Sequence, residues 1–365
     1  MTNTRIRISA LLLAISGLLT PHAAAFGAGK APKTHELTFS GKATPEQYYV
    51  PVYTSFTVPE GIVKISVTQH LGSGEARPGN LDLGIFDERG AGFEGPGFRG
   101  WSGGARRSFE IGETEATPGY LAGRINRGRW TVIQMPTTAG RTTDWTLKIT
   151  LTEGPRAKKL PAPSYAAPQL NDKPGWYRIA PHVHTVHSDG RLTPAEVIAL
   201  GKASGLDGIV STDHNTTSAL LHWGEVQDPE FLVINGMEVT YGQGHWNIFG
   251  LDPHAWIDFR IHHNDTLRYR KAVAKARKAG RLLVANHPYN LDFLYDVTPM
   301  DGIEVWNSAW SPANERAVEL WHTLLVGGNR KFAVASTDFH RGGNIASPHT
   351  VVRAEALSAE AVIDA

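Results

Sequence analysis

The chain has 365 residues, of which 41% are hydrophobic and 19% charged, and its formal net charge is +1. This length and composition predict a globular protein of two domains. A charge so close to neutral gives no electrostatic case for a nucleic-acid or membrane partner, and the sequence carries no signal for an oligomeric state. Cysteine is absent, so disulfides and thiolate sites are excluded, and any metal must be bound by histidine and carboxylate side chains.

Residues 1–25 have the pattern of a secretory signal peptide. Arg5 and Arg7 form a positive start, residues 8–19 are apolar, and residues 23–25 are three alanines that suit signal cleavage before Phe26. The apolar segment is too short to span a bilayer. We therefore expect an exported protein, periplasmic or secreted.

Residues 26–153 predict an all-β domain. Short runs rich in β-branched and aromatic residues are separated by Gly and Pro turns: SFTVPEGIVKISVTQ, NLDLGIFDE, RRSFEIGE, RWTVIQM and DWTLKITLTE. This pattern favours a β-sandwich. The region holds no cluster of candidate catalytic residues, so we expect a structural role or contacts with substrate, with carbohydrate binding as a weaker alternative. Residues 154–175 are rich in Pro and Ala and predict a linker.

Residues 176–365 alternate between strands and helices. The predicted strands are YRIAPHVH, GIVSTDH, FLVINGMEVT, HWNIFGL, RLLVANHP, DGIEVWN and KFAVASTDFH; the predicted helices are LTPAEVIALGKASG, DTLRYRKAVAKARKAG and NERAVELWHTLLVGG. Such alternation predicts a mainly parallel sheet with βαβ crossovers, and the number of strands favours a barrel. The fold class is therefore α/β plus all-β. The last segment, LSAEAVIDA, begins a helix without a stop signal, so we expect a truncated chain or a frayed last helix.

Histidines and carboxylates occur at the ends of these predicted strands. Thirteen of the 16 histidines lie at or after position 182. His182 and His184 are two positions apart, so on an extended strand both point to the same side. The carboxyl ends of barrel strands are where sites form, and burying many ionisable groups there is costly unless metals or mutual pairing compensate. The pattern favours a metal site over a set of separate, hydrogen-bonded loop residues.

Several of these segments resemble a known family. HVHTVHSDG, STDHN, GMEVT, GHWNIFG, ANHP and STDFH resemble, in order, the motifs of the PHP (polymerase and histidinol phosphatase) metallohydrolase domain, over about residues 176–350. GFRGWSGGARRSFEIGETEATPGYLAGRINRGRWTVI is similar to the N-terminal region of its carbaryl-hydrolase-like branch. The resemblance implies a distorted (β/α)7 TIM-like barrel with two or three divalent metal ions. Histidine and carboxylate ligands suit Zn, Mn or Fe.

The resemblance also implies a ligand set. The first metal would take His182, His184, Glu238 and Asp338. The second would share Glu238 and take His287 and His245, of which His245 is the position where the family varies. The third would take Asp189, His214 and His340.

Three further polar residues lie near these ligands in the sequence. His187 is not a standard ligand, and we treat it as a candidate general acid or substrate contact, with a solvent-facing loop histidine as the equal alternative. Arg341 follows His340 and could bind an anionic substrate, with an ordinary surface arginine as the alternative. Asp213 is more suited to orienting its neighbours than to binding metal.

Three functions compete. A phosphoesterase acting on a phosphomonoester or phosphodiester through a metal-bridged hydroxide is favoured, because several cations match an anionic substrate. A carbamate, ester or amide hydrolase is the second, and a non-catalytic metal-containing binding protein the third. The chain has neither a cysteine nor a G-x-S-x-G nucleophile motif, so no covalent nucleophile is expected. The expected partner is a small, anionic molecule.

Overall fold

The computed structural model of the chain describes residues 32–72, 79–289 and 295–365. The predicted signal peptide, residues 1–25, lies outside the described residues. The strands are β1 (Thr34–Ala43), β2 (Val52–Val58), β3 (Ile62–Gly72), β4 (Leu81–Phe86), β5 (Phe98–Gly103), β6 (Ser108–Gly112), β7 (Gly128–Pro136), β8 (Thr143–Glu153), β9 (Gln169–Asn171), β10 (Gly175–Val183), β11 (Gly208–Ser211), β12 (Leu232–Tyr241), β13 (Gly244–Phe249), β14 (Leu282–Ala285), β15 (Gly302–Asn307), β16 (Phe332–Ser336), β17 (Thr350–Ala354) and β18 (Leu357–Ser358).

Four α-helices and three short 3-10 helices occur in the described part of the chain. The α-helices are α1 (Pro194–Ala203), α2 (Thr266–Ala279), α3 (Pro312–Val326) and α4 (Ala359–Asp364), and the 3-10 helices are Pro45–Gln47, Ser218–Leu221 and Trp223–Glu225. No helix within the described ranges is long and apolar enough to cross a membrane.

The N-terminal region forms two four-stranded antiparallel sheets, with strand orders β1-β8-β3-β6 and β2-β7-β4-β5. Strand β8 buries every second residue, as expected for a strand with one face on a core. Its Leu147 and Ile149 join Ile85 and Val132 of the other sheet in one hydrophobic cluster. The predicted run SFTVPEGIVKISVTQ therefore contains two strands of different sheets, because the chain turns at Gly61, where φ is +86°.

The C-terminal region forms a nearly closed, barrel-like sheet of eight strands in the order β16-β15-β14-β13-β12-β11-β10-β17. The end of β10 meets the segment that follows β16: Val183 bridges Phe339, and the His184 N–H donates to the Phe339 carbonyl at 2.9 Å. This closure places the ends of the first and last barrel strands side by side.

Two strands of the barrel run against the predicted parallel direction: β17 pairs antiparallel with β10 at one edge, and β13 lies within the sheet. Strand β13 pairs antiparallel with both β12 and β14. Only residues 242–243 separate β12 from β13, which suffices for a hairpin but not for a crossover helix. As a result Glu238 lies within β12 rather than at its end, and Thr240 lies opposite His245.

The predicted linker and the last helix both pack on the barrel. Strand β9 lies within residues 154–175 and pairs antiparallel with β18. Helix α4 is capped by Ser358, whose hydroxyl accepts from the Ala361 N–H at 3.1 Å. Val362 of this helix is buried and belongs to a hydrophobic cluster with barrel strands. The last helix is therefore packed, and the expectation that it is frayed is wrong.

The N-terminal sheets and the barrel share a core within the compact unit Lys33–Ala365. Phe98 stacks on Trp256 with ring centroids 4.0 Å apart. The buried guanidinium of Arg260 pairs with Asp258 and donates to the carbonyls of Ala91 and Gly92, both at 2.8 Å. These contacts fix the N-terminal sheets beside the barrel.

Candidate metal centre

Nine side chains predicted as ligands converge in the barrel. Their donor atoms form four overlapping groups, and within each group the atoms lie within 4.8 Å of one another. The groups are His184, Asp189, His214 and His340; His182, His287 and Asp338; His182, His184 and Glu238; and His214, Glu238 and His245. The structure thus brings together every predicted ligand, but the grouping differs from the predicted one. His184 joins the outer group, and His287 groups with His182 and Asp338 rather than with His245.

The two histidines of the opening motif are placed by strand β10 and its continuation. His182 and His184 lie on one side of the extended chain, while the intervening Val183 is buried in the barrel core. The loop that follows is held by Asp213, which accepts from the Thr185 N–H at 2.8 Å and from the Ser188 hydroxyl at 2.7 Å. Asp213 therefore orients the loop, as expected from the sequence.

Glu238 is fully buried and lies at the centre of the site. Its carboxylate oxygens lie within 3.5 Å of a ring nitrogen of five histidines: His182, His184, His214, His245 and His287. Burial opposes ionisation, but the histidines, above all His214 and His182, hold the pKa of Glu238 well below its ordinary value. Glu238 is therefore a carboxylate that several cationic groups can share.

Asp338 contacts two of these histidines, His182 and His184, from the segment after β16. Its Oδ1 lies 3.2 Å from His182 Nε2 and 3.0 Å from His184 Nε2. Burial opposes its ionisation, but His182 and His184 hold the pKa of Asp338 well below the ordinary value. Its φ is +53°, a conformation that costs free energy in a non-glycine residue and is often found at functional sites.

The outer part of the site is more exposed. Asp189 Oδ1 lies 3.2 Å from His340 Nε2 and 3.6 Å from His214 Nε2. Burial opposes the charge of His214, but Glu238 and Asp189 raise its pKa to about 10. For His184, burial and the neighbouring His340 and His214 lower the pKa to about 3. The shifts are opposite because Glu238 and Asp189 favour the charged form of His214, whereas His184 lies beside two other histidines.

The side chains fit divalent metal ions. Among the described residues, His182 Nε2 and Glu238 Oε2 are buried and make no hydrogen bond of suitable geometry. Ionic partners nevertheless lie close to both atoms. Glu238 Oε1 lies 3.3 Å from His182 Nε2, and His214 Nδ1 lies 2.7 Å from Glu238 Oε2. A cation at this position would satisfy such atoms, which otherwise cost free energy. Imidazole and carboxylate donors are the ligands of Zn, Mn and Fe in hydrolytic sites.

Two residues that the sequence analysis did not predict support the ligands. Glu304 of β15 contacts two of the ligands. Its Oε1 lies 3.0 Å from His182 Nδ1, and its Oε2 accepts from the His287 N–H at 2.9 Å. Asn286 donates to Glu238 Oε1 at 2.7 Å. A signal for Glu304 was present, because a charged residue in the apolar strand DGIEVWN must have a buried partner.

The two predicted catalytic residues differ in placement. His187 is buried, its Nδ1 lies 2.8 Å from the Ser218 hydroxyl, and burial lowers its pKa to about 3. It belongs to none of the four donor groups, and this placement favours a structural role over the predicted catalytic one.

Arg341 is exposed and lines a cavity of about 280 Å³ together with Asp338 and His340. This position suits contact with an anionic substrate.

A larger cleft is lined by other members of the donor cluster. It has a volume of about 470 Å³ and is lined by Asp189, His214 and His245 of the barrel and by residues of the N-terminal sheets, including Asp82 and Trp101. Members of the donor cluster therefore line two cavities.

No protein-family model matches the sequence, and none of the curated proteins does. Solved structures share a limited likeness. A two-domain protein from Bacteroides vulgatus, containing a predicted PHP-like metal-dependent phosphoesterase, is 21% identical over 58% of this chain and 66% of its own, with a TM-score of 0.39. An amidohydrolase from Chromobacterium violaceum, with bound sulfate and no metal, is 18% identical over 51% of this chain and 95% of its own, with a TM-score of 0.37.

Proposed function

We propose that this chain is a metal-dependent hydrolase, most specifically a phosphoesterase. The observation that carries the proposal is the continuous set of donor groups, which runs from the buried His182 to the exposed Asp189 and shares Glu238. A buried metal site that serves only structure is closed, whereas this one reaches two cavities.

The ligands would be the nine predicted side chains, holding two or three ions. Bound divalent ions would supply Lewis-acid activation of a water and of a substrate oxygen. The protein residues have separate tasks. Glu304 and Asn286 hold ligands in place, Asp213 holds the loop that carries Asp189, and Arg341 offers a cation to an anionic substrate at the open rim.

A carbamate, ester or amide hydrolase is the second candidate. The 470 Å³ cleft favours it, since among its described lining residues no Lys or Arg occurs and a neutral organic group would fit there. Arg341 in the other cavity favours a substrate with at least one anionic group. A phosphoester suits both cavities, because its anionic phosphate can contact Arg341 and its organic group can occupy the 470 Å³ cleft.

The proposal also covers the type of fold in each region. The barrel would be a distorted (β/α)7 barrel of the PHP type, and the two N-terminal sheets would form a β-sandwich domain of the carbaryl-hydrolase-like branch. The reversed strand β13 and the closure of β10 on the segment after β16 support a distorted rather than regular barrel.

The function is tested with protein loaded separately with Zn, Mn or Fe. The substrates are p-nitrophenyl phosphate, bis(p-nitrophenyl) phosphate and a p-nitrophenyl carbamate, and the Glu238→Gln variant is the control for contaminating activity. We expect hydrolysis of a phosphoester by the wild type only. Hydrolysis of the carbamate alone would replace the first candidate by the second, and inactivity with every metal would contradict a hydrolase.

Export is a separate proposal, supported by the sequence of residues 1–25. Expression of the full chain in a Gram-negative host should release mature protein that begins at Phe26 into the periplasm or medium. N-terminal sequencing of the fractionated protein measures this, and an uncleaved cytoplasmic chain would contradict it.

A further inference from the structure

The larger cleft has walls from two parts of the fold. Its barrel wall carries the candidate ligands Asp189, His214 and His245, and its opposite wall carries Asp82 of β4 and the preceding Asn80. A ligand that reaches the metal cluster through this cleft must therefore pass a carboxylate and an amide of the N-terminal sheets.

Hydrogen bonds hold one carboxylate oxygen of Asp82 and leave the other available to a ligand. Its Oδ1 accepts from Asn80 Nδ2 at 2.6 Å and from the Thr137 hydroxyl at 3.2 Å, whereas no hydrogen bond from a described residue reaches Oδ2. Gly103 and Gly104 flank the carboxylate, and a Cβ at Gly104 would lie 3.0 Å from Oδ1. The absence of side chains there leaves room for a ligand beside Asp82.

His214 on the barrel wall of the cleft favours the charged form of Asp82, whereas no Lys or Arg occurs among the described lining residues. Arg107, a neighbouring cation, donates to Asn80 Oδ1 at 2.8 Å and to Gln69, and it is not part of the cleft lining. Burial raises the pKa of Asp82 to about 7, although the Thr137 hydroxyl, His214 and Arg107 favour the charged form, so a negative charge remains costly here. A hydrogen-bond donor on a ligand would reduce that cost.

The two cavities thus differ in the chemistry that they offer. Arg341 presents a cation in the smaller cavity, and Asp82 presents an acceptor in the larger cleft. We propose that the cleft binds the alcohol portion of a phosphoester and that Asp82 selects alcohols bearing a hydroxyl or ammonium donor. This inference rests on the proposed function and makes Asp82 a specificity-determining residue.

The test uses phosphonates, whose P–C bond is not hydrolysed, so that binding is measured without turnover. Propylphosphonate, 3-hydroxypropylphosphonate and 3-aminopropylphosphonate are titrated calorimetrically into metal-loaded full-length protein. We expect one or both donor-bearing ligands to bind about tenfold more tightly than propylphosphonate, as a hydrogen bond to a charged group allows. Equal affinity for all three would overturn the inference.

The Asp82→Asn variant distinguishes the two donors. Asn retains an acceptor oxygen but no charge, so it should abolish the advantage of the ammonium ligand and leave much of any advantage of the hydroxyl ligand. Asp144→Asn, at an exposed ion pair with Lys42 outside the cleft lining, is the matched control and should change neither. An unchanged preference in Asp82→Asn would contradict the role of Asp82.

The same design separates this inference from the proposed function. If the donor preference depends on Asp82 but no phosphoester is hydrolysed with any metal, the proposed chemistry fails while the binding inference stands. If phosphoesters are hydrolysed but the three phosphonates bind equally, the binding inference alone fails.

Discussion

His182 Nδ1 lies 3.0 Å from Glu304 Oε1, and both side chains are only 1% exposed. This contact fixes the imidazole ring so that Nε2 faces Glu238 and Asp338, at 3.3 and 3.2 Å. Histidine ligands depend on such partners for their tautomer and orientation. Glu304 is therefore a positioning residue for the deepest part of the site.

The Glu304→Gln variant should bind metal about 10- to 100-fold more weakly than the wild type, because it keeps the shape of the side chain but removes its charge. Competition with a chromophoric chelator measures the affinity. Glu319→Gln, at an exposed position of α3, is the matched control. Equal metal affinity in the two variants would show that Glu304 does not position a ligand.

His187 gives a second prediction, because its burial and its contact with Ser218 place it away from the donor groups. The His187→Asn variant should change kcat by less than about tenfold, whereas loss of a general acid costs about 10²- to 10⁴-fold. The assay needs propyl phosphate besides p-nitrophenyl phosphate, since a poor leaving group requires protonation. A large loss confined to propyl phosphate would restore the catalytic role.

The site could be predicted from the sequence where one local pattern fixed the geometry. His182 and His184 share a side because strand residues alternate, and His287 and Asp338 follow apolar strands whose ends meet in a barrel. The antiparallel direction of β13 was harder to predict from the sequence, although the short connection of residues 242–243 was already a hairpin signal.

The contributions of distant segments could not be predicted in this way. Asp82 lies a hundred positions before the first ligand, His182, and nothing in its local sequence tells which face of the barrel β4 packs beside. Glu304 was missed for a related reason: its role depends on the ring orientation of His182, which only the packed structure determines. Hydrophobic periodicity predicts which face of a strand is buried, but not which distant segment packs against that face.

Gly119 connects the N-terminal sheets to the loop of His187. Its φ is +99°, and an added Cβ would lie 2.6 Å from the Trp101 carbonyl oxygen and 2.7 Å from that of His187. Gly119→Ala should therefore lower the free energy of unfolding by about 1–3 kcal/mol more than Gly140→Ala. Gly140 has a φ of +69° but no atom within 4 Å of its added Cβ, so it isolates the steric clash from the backbone cost. Urea unfolding measures both, and equal losses would contradict the close approach.

Arg260 tests how strongly the N-terminal sheets depend on the barrel. Its guanidinium is 2% exposed, pairs with the buried Asp258, and donates to the carbonyls of Ala91 and Gly92. Arg260→Met should cost about 3–5 kcal/mol, because it leaves the Asp258 charge buried without its partner.

The double variant Asp258→Asn with Arg260→Met should recover part of this loss, since it removes the unpaired charge as well. Arg281→Met, which breaks an exposed pair with Asp364, should cost less than about 1 kcal/mol. Urea unfolding of the four proteins, including the wild type, gives the comparison. If Arg260→Met costs no more than Arg281→Met, the buried pair does not join the two regions, and other contacts, such as Phe98 with Trp256 and Arg106 with the Val186 carbonyl, would hold the cleft wall that carries Asp82.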